Sequence, residues 1–599
     1  MISQKIKFFI LFLLISFCIA SPKFSFSQDQ DFEIILDAKA NTQPLAGIFK
    51  PNIDLSGRGF HRELSWPQTL AASELLDQWQ KDIGFKGFYR IQYNLWEINE
   101  VNKLYNIQRK LFSNYEDIFK KITDAGGVVI LDIFGTPAGL GKVLDKKSAP
   151  LDLKAFKELI KDYMRELSCK KKYNIWYEVW TAVDLDDFFL GRKQDYFGMY
   201  RAVAEAAKEL QFETGIKIPV GGPGSSWWFQ NIEGNTIVTP ERSLIYELIK
   251  YCYHYHLPLD FISWHAYSTD PKAESDLTRY KNTSVQLIRD WLSYFSYSRE
   301  TPLIIDEWNY DSGANLLPAR AERANVGASF IISRLKNMFE AGIDQQLYFC
   351  LEDFQNNREG VVRNTGVFSY NSESSEYKGS PKCIYNAFKM LSMLGSNMYL
   401  LPGLKDDFTG AIATKNNEEI KIIFYNYVDP YFARSYLSRR IATFADSERR
   451  VILNMIKNNT LDNVLSSQQT VAKLRTTKRL KSLLKKVQVL NAQAEVLKNS
   501  DRNIKLQIKN LSGDYTLEKY ILDSECVMDC KFNPVEKKDI SAAVLDEVLQ
   551  MKPYSVSMVV LKKKPQEEPL ASEVKQPRPQ TAEQKPVSEQ KPADEKKSN

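Results

Sequence analysis

Pro302-Leu303-Ile304-Ile305-Asp306-Glu307-Trp308-Asn309 runs from an apolar stretch straight into two adjacent carboxylates and a tryptophan. A short apolar run that opens on proline and closes on polar residues reads as a buried strand of a parallel sheet. Because neighbouring side chains on a strand alternate, one of Asp306 and Glu307 should face the sheet interior and the other sideways. An acidic pair at a strand end serves equally well as a helix cap or an arginine partner, so its meaning depends on its neighbours.

Outward from this segment, seven more runs have the same character, at 47–53, 87–92, 127–135, 174–180, 217–222, 261–267 and 345–352. Amphipathic stretches such as 153–167 and 196–210 lie between them. Eight strands alternating with helices predict a (β/α)8 TIM barrel over residues 31–398, with its chemistry at the carboxyl ends of the strands. From 399 to 562 the pattern changes to alternating strands, at 411–427, 503–523 and 554–562, which predicts a β-sandwich. It is interrupted at about 430–499 by a helical insertion rich in Arg and Lys. There Leu480, Leu483, Leu484 and Val487 form an apolar stripe flanked by Lys478, Arg479, Lys481, Lys485 and Lys486, the pattern of a solvated helix docked on its own domain or of one meeting an anionic surface. Residues 563–599, rich in Pro, Glu, Lys and Gln with almost no large apolar residue, predict a disordered tail.

Composition narrows the class. Of 599 residues, 44% are hydrophobic and 26% charged, which excludes a multi-span membrane protein and a wholly disordered chain. The charge of +6 comes from 80 basic against 74 acidic residues, too close to balance for a general nucleic-acid binder. Lys5 and Lys7 followed by the apolar run 8–20 and Ser21 have the order of a secretory signal, here placed at 1–27, so export to a periplasmic or extracellular space is expected. Six cysteines remain beyond it, too few for a disulfide-built scaffold. Cys526 and Cys530 are either bridged or two thiols in a loop. His254 and His256 stand two apart with no ligand-spaced companions, so no metal and no cofactor are inferred.

Other strand ends enrich the acidic pair. His265 and Tyr267, two apart and so on one face, are placed to hydrogen-bond a carboxylate and hold it ionised. Arg90, ending Gly84-Phe85-Lys86-Gly87-Phe88-Tyr89-Arg90, suits a bidentate grip on Glu307, or an ion pair with another barrel acid such as Glu178.

These residues resemble the retaining glycoside hydrolases of family 39, the group of β-xylosidases, α-iduronidases and exopolysaccharide hydrolases. The resemblance runs from about Phe60 to Gly395. It is carried by 84–90, by 115–137 with its Phe134-Gly135-Thr136-Pro137 end, and by Val220-Gly221-Gly222-Pro223. The His265 segment, 305–309 and Tyr385-Asn386-Ala387-Phe388-Lys389 complete it, with 515–523 and 553–561 resembling the accessory domain. The resemblance implies a (β/α)8 barrel acting on a carbohydrate polymer or oligosaccharide, with Glu307 as nucleophile and Arg90, Trp180, Thr181, His265, Tyr267 and Trp308 around the substrate.

The fourth strand departs from the family pattern. Where the family reads Glu-x-Trp-Asn-Glu-Pro, this chain reads Glu178-Val179-Trp180-Thr181-Ala182-Val183, so Thr181 takes the Asn position and Ala182 the acid/base position. A methyl group neither gives nor takes a proton. Gln92 likewise stands where the family often has His.

Three readings follow. Another acid supplies the proton, with Asp184, Asp186, Asp187, Glu352 and Asp353 the candidates; Asp186 or Asp187 would equally cap the next helix, and Glu352 or Asp353 equally serve an arginine or a helix start. Alternatively, the barrel only binds glycan, stacking sugars on Trp180, Trp227, Trp228, Trp264 and Trp308, each of which has core packing as its other reading. In the third, the chain is a non-catalytic scaffold of a polysaccharide system.

Overall fold

The computed structural model describes residues 32–57, 69–95, 108–137, 139–229, 231–232, 240–267, 283–310, 324–356, 361–363, 365–369, 379–401, 408–417, 419–441, 444–466 and 469–565. The signal segment 1–27, His61, the start of the family-like stretch at Phe60 and all of the tail beyond 565 lie outside them.

Eight parallel strands close into a barrel: β1 (Ile53–Asp54), β2 (Phe88–Asn94), β3 (Val128–Phe134), β4 (Ile175–Val179), β5 (Val220–Ser225), β6 (Phe261–His265), β7 (Leu303–Trp308) and β8 (Gln345–Tyr348). Tyr348 of β8 pairs with Ile53 of β1 to complete the ring. Each strand is followed by a helix, giving α1 (Ser73–Asp82), α2 (Gln108–Asp124), α3 (Leu153–Met164), α4 (Lys193–Thr214), α5 (Leu244–Tyr255), α6 (Ser284–Tyr294), α7 (Ala324–Ala341) and α8 (Cys383–Met393). Asp152, Ser243 and Thr283 cap α3, α5 and α6 by accepting backbone N–H groups of the first turn.

The strand period of two sorts the barrel interior into layers. The lower layer is apolar, built from Ile130, Phe261, Ile304 and Leu347 with Phe88, Val128 and Trp176 against them. Two residues further along the same strands come Arg90, Asp132, Glu178, Ser263 and Asp306, all fully buried. The polar layer is thus the next rung of the strands that make the apolar floor.

Two boundaries differ from the sequence expectation. The first strand, expected over 47–53, begins only at Ile53: residues Gly47–Phe49 form a 3-10 turn, and Pro51, which lacks an N–H, cannot join a ladder. Residues 32–37 and 42–44 also do not belong to the barrel sheet. Phe32–Asp37 pairs in parallel with Arg502–Lys509, and Thr42–Pro44 pairs with Asn397–Tyr399. Partners hundreds of residues away leave no local signal beyond the alternating burial of 32–37.

The carboxyl-terminal region is a sandwich of a seven-stranded sheet and a three-stranded sheet sharing one core, in which Ile422 and Phe424 of the larger sheet meet Ile504 and Leu506 of the smaller. The insertion forms four helices, α9 (Phe432–Ile441), α10 (Asp446–Lys457), α11 (Leu461–Leu465) and α12 (Lys478–Lys498), with their own apolar cluster. Leu480, Leu484 and Val487 are buried in that cluster, so the stripe docks on its own insertion. Cys526 and Cys530 are bonded. Among the described residues, no helix is long and apolar enough to cross a membrane.

Candidate active site

At the centre of the polar layer Arg90 is buried completely and touches four carboxylates. Nε donates to Glu178 at 2.7 Å, and Nη1 donates to both Glu307 Oε1 at 2.6 Å and Asp54 at 3.1 Å. Nη2 reaches Asp132 at 3.2 Å and donates to Thr181 Oγ1 at 3.0 Å. The expected pair with Glu178 is present, and Arg90 also holds Glu307, but through Nη1 alone and not by the expected bidentate grip, because its other donors serve Glu178, Asp132 and Thr181. Asp54 and Asp132 were not singled out from the sequence. The available signal was a carboxylate inside the apolar run Val128–Phe134, which a buried strand does not carry without a partner.

Glu307 is held at both oxygens. Tyr267 donates its hydroxyl to Oε2 at 2.9 Å, Thr181 Oγ1 lies 3.5 Å from Oε1, and His265 Nδ1 lies 3.5 Å from Oε2. The side chain keeps 8% of its surface open to solvent while Arg90 keeps none. Gln92 is buried and donates to Asp132 at 3.4 Å.

Strand alternation alone puts Asp306 inward, on the face of Ile304, and turns Glu307 away. The register shows how both come in. Ile305 pairs with Trp264 but Glu307 pairs with His265, so Asp306 is an extra residue in the ladder, and the bulge rotates Glu307 back to the centre. A second shift falls on the other side of β6, where Ser263 pairs with Pro223 and Trp264 with Ser225. The residue skipped is Gly224, with φ of 56°; a Cβ there would stand 2.8 Å from the Trp180 carbonyl oxygen and 3.3 Å from Asp306 Oδ2. Only glycine lets the ends of β4, β5 and β7 close to this distance.

Five carboxyl groups share one guanidinium, and burial decides which keep protons. Burial pushes Asp132 and Asp306 well above the ordinary carboxylate range and Asp54 up to about 6, while Glu307 is raised against the opposing pull of Arg90. Glu178 alone is lowered: burial opposes its ionisation, but Arg90 and hydrogen bonds from Asp306 and Ser263 outweigh it. Burial and the neighbouring Glu178 both favour the protonated form of Asp306. Burial also brings His265 down to about 3, so the imidazole beside Glu307 is neutral.

Two outcomes follow. Asp306→Asn keeps a donor toward Glu178 and should change stability at pH 7 by no more than about 1 kcal/mol in denaturant titration. Asp54, at about 6 in the fold against an ordinary 3.8, holds its proton longer when folded. Its stabilising contribution is complete below pH 3.8 and is lost as pH rises through 6. His265 works in the opposite direction over its own window, so the comparison with Asp54→Asn isolates the effect. The variant should gain on the parent by on the order of 2–3 kcal/mol between pH 4 and 7.

The other expected site residues separate. Ala182 is buried with φ of 43° and donates its N–H to the Gly224 carbonyl at 2.7 Å, which fixes the strand-4 turn beside the acid cluster. Asp184 accepts from the Ser226 N–H at 2.8 Å and from the Ser226 hydroxyl, and burial raises its pKa. Asp186 and Asp187 lie in an exposed turn and do not cap α4, whose first residue follows Arg192. Glu352 accepts the Ala72 N–H at the start of α1, and Asp353 pairs with Lys382 at 2.8 Å, so both take the helix-start or ion-pair alternative. Trp180, Trp228, Trp264 and Trp308 are sealed in the core, with the Trp308 Nε1 donating to Gln346 at 2.6 Å. This corrects the expectation that Trp180 and Trp308 offer their faces to a sugar; strand ends that close this tightly bury large rings between barrel and helices.

A (β/α)8 barrel with a carboxylate pinned at its mouth by arginine and tyrosine has the architecture of the barrel glycoside hydrolases. The model of the glycosyl hydrolases of family 39 matches residues 140–435 of this chain. A beta-xylosidase of Caldicellulosiruptor saccharolyticus is 24% identical over 388 residues, covering 60% of this chain and 74% of that protein. The solved GH39 enzyme of Xanthomonas axonopodis pv. citri matches with a TM-score of 0.59 at 15% identity, over 91% of this chain and 99% of that one. A monomeric beta-xylosidase from Caulobacter crescentus CB15 matches with a TM-score of 0.57 at 14% identity, over 89% and 99%. At these identities the structural matches establish the fold.

Proposed function

We propose that the protein is a β-xylosidase-like glycosidase in which Glu307 attacks the anomeric carbon of a glycan, with Ala182 standing where the family carries its proton donor. The observation that carries this reading is the double restraint on Glu307, Arg90 on one oxygen and Tyr267 on the other. Those contacts orient the carboxylate and favour its ionised form against burial, as a nucleophile requires. Thr181, bonded to Arg90 and beside Oε1, takes the place from which the sugar 2-hydroxyl is approached.

A retaining reaction needs a second carboxyl group to protonate the departing oxygen and then to activate water. With alanine at 182, glycosides whose leaving group departs unprotonated are the favoured substrates, and a glycosyl-enzyme once formed is slow to hydrolyse. The test is a series of aryl β-xylosides of graded leaving-group acidity. Turnover should depend steeply on the leaving group, and azide, which attacks without a general base, should accelerate it. Ala182 also favours a second reading, a barrel that binds glycan without cleaving it. That reading gains if xylo-oligosaccharides bind and no aryl glycoside turns over. Of the substitute acids, Asp184 is supported best, being two residues past Ala182 with a raised pKa. Export is part of the proposal, and the Cys526–Cys530 bond supports it because such bonds persist in oxidising compartments.

A further inference from the structure

At the end of the sandwich where Lys415 and Glu419 flank a hairpin and the chain turns after Lys509, a cavity of about 320 Å³ opens away from the barrel site's residues. That is the lower end of the range for small-ligand pockets and has room for a sugar unit. Its wall is polar: Lys39, Lys415 and Lys563 supply ammonium groups, and Asn417, Asn510 and Ser512 supply amides and a hydroxyl. Lys415 is held over the Tyr399 ring with Nζ bonded to the Ala40 carbonyl, and Glu419 is paired with Lys421. Asp37 accepts the Lys39 N–H and takes a hydrogen bond from Asn510, so it and the Lys421-paired Glu419 are carboxylates set against the three ammonium groups. The rings of Tyr399 and Tyr515 are 3% and 7% exposed, so they floor the cavity rather than offer a stacking face. Recognition here must come from charge and hydrogen bonds.

We propose that this cavity binds a carboxylate-bearing sugar unit of an acidic glycan, with Lys39 and Lys563 holding the carboxylate and the amides meeting the hydroxyls. The barrel mouth, where Glu178 is held ionised and Glu307 must act as a carboxylate, disfavours such a unit, so the two sites divide the work: acidic residues are anchored on the sandwich and neutral ones are presented to Glu307. A separate observation points to the same polymer. Residues 430–499 carry 14 basic against 4 acidic residues, a net +10 in a chain whose total is +6. That charge attracts a polyanion over the distance salt permits. The insertion leaves the sheet at the Asn426 end of strand Glu419–Asn426, whereas the cavity lies at the Glu419 end, roughly 25 Å away by strand length. Attraction and recognition are therefore separable by mutation.

The proposal goes beyond the catalytic reading and is tested without turnover, so either can fail alone. Titration calorimetry of the full chain at low salt compares hexagalacturonate with xylohexaose. The variants are Lys39→Ala/Lys563→Ala, the cavity-filling Ser512→Trp, the insertion triple Lys473→Gln/Lys478→Gln/Lys485→Gln, and Glu307→Gln. The expected result is hexagalacturonate binding that weakens roughly tenfold or more in both cavity variants, with the parent's Tm retained, and that is unchanged by Glu307→Gln. Equal binding of xylohexaose, unchanged affinity in either cavity variant, loss confined to the insertion triple, or no binding of hexagalacturonate would each overturn it.

Discussion

Glu307→Gln should fold, keep its glycan affinity and lose turnover of 2,4-dinitrophenyl β-xyloside by at least about 10⁴-fold in kcat. The amide fills the same volume and still accepts from Tyr267 or Arg90 through its oxygen, but it cannot attack an anomeric carbon. Because Glu307 carries the raised pKa of a buried carboxyl, a neutral residue at 307 suits its surroundings, and the Tm should not fall. Loss of activity with an intact fold separates a nucleophile from a structural ion-pair partner. An activity drop of only a few fold would leave Glu307 as one more acid around Arg90.

The second large effect runs in the other direction. Ala182→Glu should raise hydrolysis of alkyl and sugar leaving groups by about 10²–10⁴-fold, the usual contribution of a general acid. Aryl glycosides with good leaving groups should gain mainly in the second step, where the new carboxylate activates water and the burst of product disappears. The backbone at 182 already sits at positive φ, and glutamate, unbranched at Cβ, meets that conformation on nearly the same terms as alanine. If the parent cleaves alkyl glycosides well and Ala182→Glu changes nothing, a proton already comes from elsewhere. Asp184→Asn then identifies the source by removing that activity.

The sequence was most legible where local period and chemistry agree. Seven of the eight strands and the helices over 153–167 and 196–210 followed from apolar runs and amphipathic spacing, the first strand meeting its expected run only at Ile53, and the convergence of Arg90, His265, Tyr267 and Glu307 followed from their places at strand ends. What stayed hidden depends on contacts made across the chain. A one-residue bulge at Asp306 brings Glu307 inward, and nothing in Ile305-Asp306-Glu307-Trp308 announces it. Asp54 and Asp132 joined the site only through Arg90, whose five donors can serve several acids at once. The tryptophans misled because a ring beside a catalytic strand end is read as a sugar platform, whereas here those ends pack closely enough to seal Trp180, Trp264 and Trp308 inside. Residues 32–44 misled for the opposite reason, since their partners lie at 502–509 and 397–399.

The most direct measurement of the central proposal is covalent trapping. The full chain is incubated with 2,4-dinitrophenyl 2-deoxy-2-fluoro-β-xyloside, whose leaving group departs without a proton and whose fluorine slows both steps, and is then digested and analysed by mass spectrometry. The account predicts a fluoroxylosyl adduct on the peptide that contains Glu307, long-lived because position 182 offers no base to help water attack, and released on adding azide. A chain that stays unlabelled while releasing dinitrophenol, or one labelled at Asp54, Asp184 or another carboxylate, would contradict it.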